Sequence, residues 1–485
     1  MKYIKISIVI LLVSFISIFA YKLTTNNSSN KLSLTKEQMK EMISYTIDGN
    51  STSSMPTKGS GYKVKSITCK SGSILSWDND NWLLEVEKLE SEDLCNIDFT
   101  TGTGSYTVTA VPSIAGFLDS TSKTTTENGQ VTFYTNLVID SVSGCTNEIS
   151  DGKVIVKNVT SNTTCNINVS YMKLYDKLLA DKSTRLTRTD FSTVLTTDNT
   201  NTLYTSTEDS KTVYYFAGNA TDNWVQFGGY YWRIIRTNSD GGVRLLYHGT
   251  STTAENAYIG ESAFNNSYNN IAYVSYMYGS TGSIANARTN QTNSSTIKTA
   301  IDNWYKDNLN TNYGKYLSTT AVYCNDRTYT VSGSNTFFGA RTRLYTNKTP
   351  SYDCTATEDK FTVDSSTGNG KLTYPIALMT ADEISYAGGL YGTNAPTWYY
   401  YNSANGSSTG STYWWLLSPD YCIGSGAGVF VVNGSSYPGY LGSYGVNGAS
   451  GVRPVISLKS CIKYSTGNGS ASDPYTIFLD PDIFC

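Results

Sequence analysis

Two stretches of this chain close on nearly the same five residues. One is Cys95-Asn96-Ile97-Asp98-Phe99, the other Cys165-Asn166-Ile167-Asn168-Val169. A second cysteine precedes each, Cys69 by 26 residues and Cys145 by 20. Between the cysteines, apolar residues alternate with polar ones and are interrupted by Asn, Gly and Ser. Side chains of a strand point alternately to opposite faces, so this pattern indicates short antiparallel strands joined by turns. The repeat imposes a modular organisation: two small all-β modules, residues 59–100 and 101–171, each able to staple itself with a disulfide. A spacer is the plain role for them.

Nine cysteines stand at 69, 95, 145, 165, 324, 354, 422, 461 and 485, with no C-x-x-C and a single histidine, His248. Structural zinc sites need closely spaced Cys and His ligands, so neither a metal nor a cofactor is expected. Sequence neighbours suggest Cys69–Cys95, Cys145–Cys165, Cys324–Cys354 and Cys461–Cys485, leaving Cys422 alone. Connectivity does not follow from sequence, and free thiols remain open.

Pairing presumes export, and the N-terminus supplies it. Lys2 and Lys5 precede the apolar run Ile6–Tyr21. The run is longer than a typical signal core and shorter than a comfortable membrane span. Residues 1–23 are therefore a signal peptide or a membrane anchor. Either one places the remainder at the cell surface, membrane-anchored or secreted. Charged residues make up only 15% of the chain and net charge is −3. No polybasic field exists to hold nucleic acid or anionic lipid.

Residues 24–58 read as a linker with a short helix, Thr35–Ile47, and Ser51–Gly61 as a hinge. Residues 172–211 read as a helix followed by an extended linker. The largest domain spans 212–485. Its signals include a hairpin, with Trp224–Arg236 and Val243–Tyr247 flanking Thr237–Gly242, and an amphipathic helix over Ser294–Asn308 with Ile297, Ile301, Trp304 or Tyr305, and Leu309 on one side. Thr380-Ala381-Asp382-Glu383 is a capping box opening a helix that stops at Gly388-Gly389.

The domain closes with two apolar blocks around a middle rich in Gly, Ser, Tyr and Asn. The left block is Tyr413–Pro419 and the right block Gly451–Ile456. Such a middle suits recognition, because Tyr gives contact area at low entropic cost and Ser, Gly and Asn give adaptable hydrogen bonds. Trp414, Trp415, Leu416, Val431, Val452 and Val455 are expected in the core. Arg453 is expected to tie the closing strand to the body through its fork of donors, with Pro454 beside it. The candidate ligand contacts are Asp420, Tyr421, Ser435, Ser436, Tyr437, Tyr440, Tyr444 and Asn447.

Trp415-Leu416-Leu417-Ser418-Pro419 and Gly451-Val452-Arg453-Pro454-Val455 resemble the signature blocks of an uncharacterised domain family of bacterial exported proteins. The family usually carries Arg where this chain has Leu417, so no polar role transfers to that position. The resemblance covers about residues 212–480, and the modules before it resemble bacterial surface repeats. The family in turn resembles C-type-lectin-like folds, including the formylglycine-generating-enzyme group. The resemblance implies an α+β C-type-lectin-like domain in which Asp420–Ser450 builds an exposed face over a buried strand, Val429–Val432. The fold class expected is thus multidomain, two all-β repeats followed by that domain.

No catalytic residue is expected. His248 is the one possible imidazole base and reads as a surface or half-buried structural residue. Asp382 and Glu383 are explained by helix capping, and Asn325-Asp326-Arg327 by a turn with a local ion pair. A close Cys pair for formylglycine chemistry is missing, and so is a Glu-Pro-Asn or Gln-Pro-Asp calcium loop. The expected function is that of an adhesin-like protein binding an extracellular glycan or protein ligand, with the membrane as second partner through the N-terminal segment. The alternatives are a cell-envelope structural protein, and a hydrolase or oxidase with an unrecognised site.

Overall fold

The computed structural model describes residues 21–23, 41–78, 81–102, 104–253, 257–399, 401–402, 413–434 and 437–481. The chain is mostly β and forms two compact units, Met1–Tyr171 and Met172–Cys485. Among the described residues no helix is long and apolar enough to cross a membrane. The run Ile6–Tyr21 lies outside them except for Tyr21.

The first unit holds two modules with one topology. In the first, a sheet runs Asn50–Thr52, Ile43–Ile47, Cys95–Thr101, Tyr62–Cys69 from edge to edge. A second sheet runs Tyr21–Leu23, Leu83–Lys88, Ile74–Asp78. In the second module the matching orders are Ser122–Thr126, Ser105–Pro112, Thr163–Ser170, Val138–Ser143, and Gly129–Tyr134, Lys153–Val159, Asn147–Ser150. The modules depart at one edge strand: Tyr21–Leu23 comes first in its module and runs parallel to its neighbour, whereas Gly129–Tyr134 comes third in its module and runs antiparallel. Cys69–Cys95 and Cys145–Cys165 join corresponding positions of the two modules.

The first module therefore begins well before residue 59, with Ile43–Ile47 in its first sheet and Tyr21–Leu23 at the edge of its second. The end of the expected helix Thr35–Ile47 is instead a strand. Ile43, Tyr45 and Ile47 alternate and pack on Ile97 and Phe99, and this period of two overrides the helical reading of the Lys, Glu and Met before it. The Ser51–Gly61 stretch is fixed rather than hinge-like, since Met55 is buried and Trp82 Nε1 donates to Pro56 O at 2.9 Å. Trp77 and Trp82 enclose Phe99 at centroid distances of 5.7 and 5.9 Å. Burying each such ring stabilises the module by roughly 2–3 kcal/mol.

Residues 172–211 belong to the second unit and are no linker. Leu174 and Leu178 of the helix Leu174–Asp181 enter its core. Thr184–Thr187 and Thr202–Glu208 pair as the first strands of a nine-stranded sheet. That sheet continues through Lys211–Tyr215, Tyr230–Thr237, Val243–Gly249, Pro454–Leu458 and Ile376–Leu378. The expected hairpin forms between Tyr230–Thr237 and Val243–Gly249. Trp224–Phe227 is a separate strand, because Gly228 and Gly229 (φ 65° and 81°) make a tight turn between them. Two successive positive φ values give the primed turn that suits strand twist.

The Ser294–Asn308 prediction yields the helix Thr296–Tyr305, capped by Ser295 and buried through Ile297, Ile301 and Tyr305. The capping box at Thr380 opens the helix Ala381–Ala387, which ends at Gly388. A second, seven-stranded sheet holds Glu261–Ala263, Ala449–Gly451, Trp414–Ile423, Asn335–Phe338 and Tyr329–Ser332, with Gly426–Val432 and Leu441–Gly445 alongside.

Candidate functional site

Trp414, Trp415, Leu416 and Leu417 are fully buried on both faces of their strand, as are Val431, Val452 and Val455. Arg453 lies 4.7 Å over the Trp414 ring, and its Nε and Nη2 donate to Tyr247 O at 3.3 and 3.2 Å. Pro454 opens the strand that pairs with Val243–Gly249 and Ile376–Leu378, a position where its missing N–H costs little.

The expected contact residues do not form one face. Tyr421 pairs with Gly428 while Val429 pairs with Tyr444. Residues 428 and 429 point to opposite sides, so Tyr421 and Tyr444 do too. Tyr444 packs beside Tyr413 and Trp415. The rings of Tyr437 and Tyr440 lie tilted to each other in a loop, 5.9 Å apart, and Asn447 is exposed in a turn. Ser435 and Ser436 lie outside the described residues.

Asp420 corrects the sequence reading most. It is completely buried, not a surface contact. A β-bulge around Pro419 shifts the register and turns Asp420 inward, where both carboxylate oxygens accept from Arg341 Nη1 at 3.1 Å. Burial pushes its carboxyl above the usual range, against the pull of Arg341.

Arg341 is the residue that the sequence did not flag. It ends the short turn Gly339–Arg341, directly after the strand Asn335–Phe338. Its guanidinium lies 4.9 Å from the Phe337 ring, 5.2 Å from Tyr345 and 5.6 Å from Tyr391. Tyr391 Oη accepts from Nη1 at 3.3 Å. Nε and Nη2 bond to no described residue, and the side chain is 24% exposed. Tyr345 and Ile423 stand out at 53% and 48% exposure. Phe337, Tyr421 and Ile423 share one sheet face by register, and the Tyr421 ring lies over Gly428. Together they form an arginine set in a shallow aromatic platform. The hint in the sequence was Phe337-Phe338 running into Arg341 and Tyr345, four apart on one helical face.

A separate cleft holds the carboxylates considered for catalysis. Glu383 Oε1 accepts from Arg236 Nε at 2.9 Å and Arg244 Nη1 at 2.8 Å, and Glu208 accepts from Arg236 Nη2 at 2.7 Å. Arg343 grips Asp382 with two donors at 2.8 and 2.9 Å and Asp326 with a third at 2.6 Å. Burial raises the Glu383 carboxyl, but Arg244 and Arg236 outweigh it and hold the group below the usual range. Arg343 does the same to Asp326, and Arg236 to Glu208. The ion pair expected around Asp326 is thus not local, and Arg327 binds Asp359 instead. Each of these acids is bonded by an arginine.

His248 is fully buried rather than at the surface. Burial, with Arg453 and Arg233 adding to it, holds the imidazole well below its ordinary pKa, and Trp224 packs against the ring at 4.4 Å. Cys324–Cys354 forms the third disulfide and Cys422 is a buried thiol. The expected partner of Cys461, Cys485, lies outside the described residues. No protein family, curated protein or solved structure matches this chain.

Proposed function

We propose that the chain is an exported cell-surface binding protein. Its second unit is a C-type-lectin-like domain that recognises an extracellular glycan or protein ligand, and its two β modules act as a spacer. The observation that carries this reading is the Arg341 platform. It presents exposed Tyr345 and Ile423, half-buried Phe337 and Tyr421, and a cation with free donors. Large apolar side chains grouped around a directional charge, here carried by paired strands and the helical turns that follow one of them, are how binding sites concentrate affinity. Three disulfides fit an oxidising, extracellular setting.

The test is binding of the full chain to glycan arrays and to neighbouring cells, beside a Tyr345→Ser/Ile423→Ser variant. Both residues are exposed, so the melting temperature should hold while binding falls about tenfold, as for loss of an interface hot spot. Unchanged binding in the variant would refute the platform as the ligand surface.

One observation favours the envelope-structural reading. Tyr329–Ser332 is an edge strand with Tyr329 and Val331 50% and 63% exposed. Such an edge can pair with another copy. Sedimentation that shows concentration-dependent assembly, abolished by Val331→Lys, would favour it.

A further inference from the structure

We propose that the Arg341 platform is a subsite for a carboxylate-bearing sugar, a uronic or sialic acid unit of an acidic glycan. This deepens the binding reading above and rests on it. Asp420 and Tyr391 use only Nη1 of the guanidinium. Its Nε–Nη2 edge is left with two parallel N–H donors, the geometry that grips both oxygens of one carboxylate.

Charge selects a monoanion. Arg341 is already balanced by buried Asp420. A dianionic phosphate would meet the Asp420 carboxylate directly behind the guanidinium. A singly charged carboxylate gains the bidentate bond with less of that repulsion.

The walls select a sugar over a peptide. An extended peptide is commonly held by a free strand edge. Here Asn335–Phe338 and Trp414–Ile423, which carry Phe337, Tyr421 and Ile423, are each paired on both sides, and the free edge of the sheet, Tyr329–Ser332, lies one strand beyond them. What the platform does offer is aromatic surface, from exposed Tyr345 and half-buried Tyr421, each ring ending in a hydroxyl. A pyranose ring complements that surface, with C–H faces for the aromatic rings and hydroxyls for the tyrosine oxygens.

The experiment is ligand-observed NMR and calorimetry on the full chain. The probes are methyl glycosides of glucuronic, galacturonic and neuraminic acid, each beside its carboxamide. A short peptide with a free C-terminal carboxylate, beside its amide, forms the second arm. At least one acid glycoside should bind about tenfold or more tighter than its carboxamide, as one charge-assisted bidentate contact supplies. Arg341→Met/Asp420→Asn removes both charges and leaves no orphaned buried carboxylate, so it should fold as the parent does and lose that preference. Asp420→Asn alone should strengthen acid binding by unmasking Arg341. Acid and amide binding alike, or a preference surviving in the double variant, overturns the proposal while any cell or array binding lost in Tyr345→Ser/Ile423→Ser keeps the broader reading. Arg341-dependent binding of the peptide acid alone overturns the sugar in favour of a peptide, and no binding by any acid glycoside overturns it outright.

Discussion

Replacing Glu383 with Gln tests the account of the buried charge network. Glu383 is 2% exposed and accepts from Arg236, Arg244 and Thr380 N–H. Gln keeps the side-chain volume and also serves at this position of a capping box, so the change isolates the charge. Arg236 retains Glu208, but Arg244 has no other ion pair among the described residues. One buried cation is therefore stranded, which costs about 3–5 kcal/mol. For a unit this large, at ~2 °C per kcal/mol, the melting temperature should fall by about 6–10 °C. Calorimetry of the full chain reads the shift, and hydrogen exchange in Tyr230–Thr237 and Val243–Gly249 assigns it to the second unit. Adding Arg244→Met removes the stranded charge with its partner and should recover most of the loss. The acid limb supplies a sign. The folded carboxyl lies below 4.5, its unperturbed value, so its stabilisation is complete above that pH and disappears as pH falls through the folded pKa. Glu383→Gln should flatten that limb. A variant melting within about 2 °C of the parent, or a double variant worse than the single, would refute the reasoning.

The remaining predictions are shorter. Cys69→Ala/Cys95→Ala should cost the first module about 3 kcal/mol from the freed loop and speed its proteolysis, leaving exchange in the second unit unchanged. Gly228→Ala places a Cβ 2.7 Å from the buried Leu309 Cδ2 at a positive φ, and should lower stability by about 1–3 kcal/mol in denaturant titration. His248, the only histidine, should show no ring titration by NMR from pH 8 to 5. Its folded pKa is depressed, so the unfolded chain alone takes up the proton and stability should decline as pH drops below 6.5.

What the sequence disclosed depended on how local the determinant was. The paired cysteines, the capping box and the hairpin around Thr237–Gly242 act over a few residues or repeat a pattern, and they could be read directly. The start of the first module could not, because Ile43–Ile47 is a strand only by virtue of its parallel partner Cys95–Thr101, some fifty residues away. Residues 184–208 carry little local signal and gain their strand character from the sheet they join. Asp420 and Arg341 were opaque for the same reason. A bulge turned one inward, and a contact 79 residues apart in sequence joined it to the other.

The parallel pairing of Ile43–Ile47 with Cys95–Thr101 and of Ser105–Pro112 with Thr163–Ser170 also bears on how these modules would carry a load. Ile43–Ile47 runs alongside Cys95–Thr101 over five partners, and Ser105–Pro112 alongside Thr163–Ser170 over five. Because the strands are parallel, each module takes the chain in at one end of that seam and releases it at the other. Tension applied through the chain pulls the two strands lengthwise past each other. The hydrogen bonds of the seam then resist together in shear instead of opening one at a time. In the first module the Cys69–Cys95 crosslink additionally keeps the strand beyond from paying out. A module of this design is expected to yield abruptly at a high force under single-molecule pulling, and a gradual, low-force extension would contradict that reading.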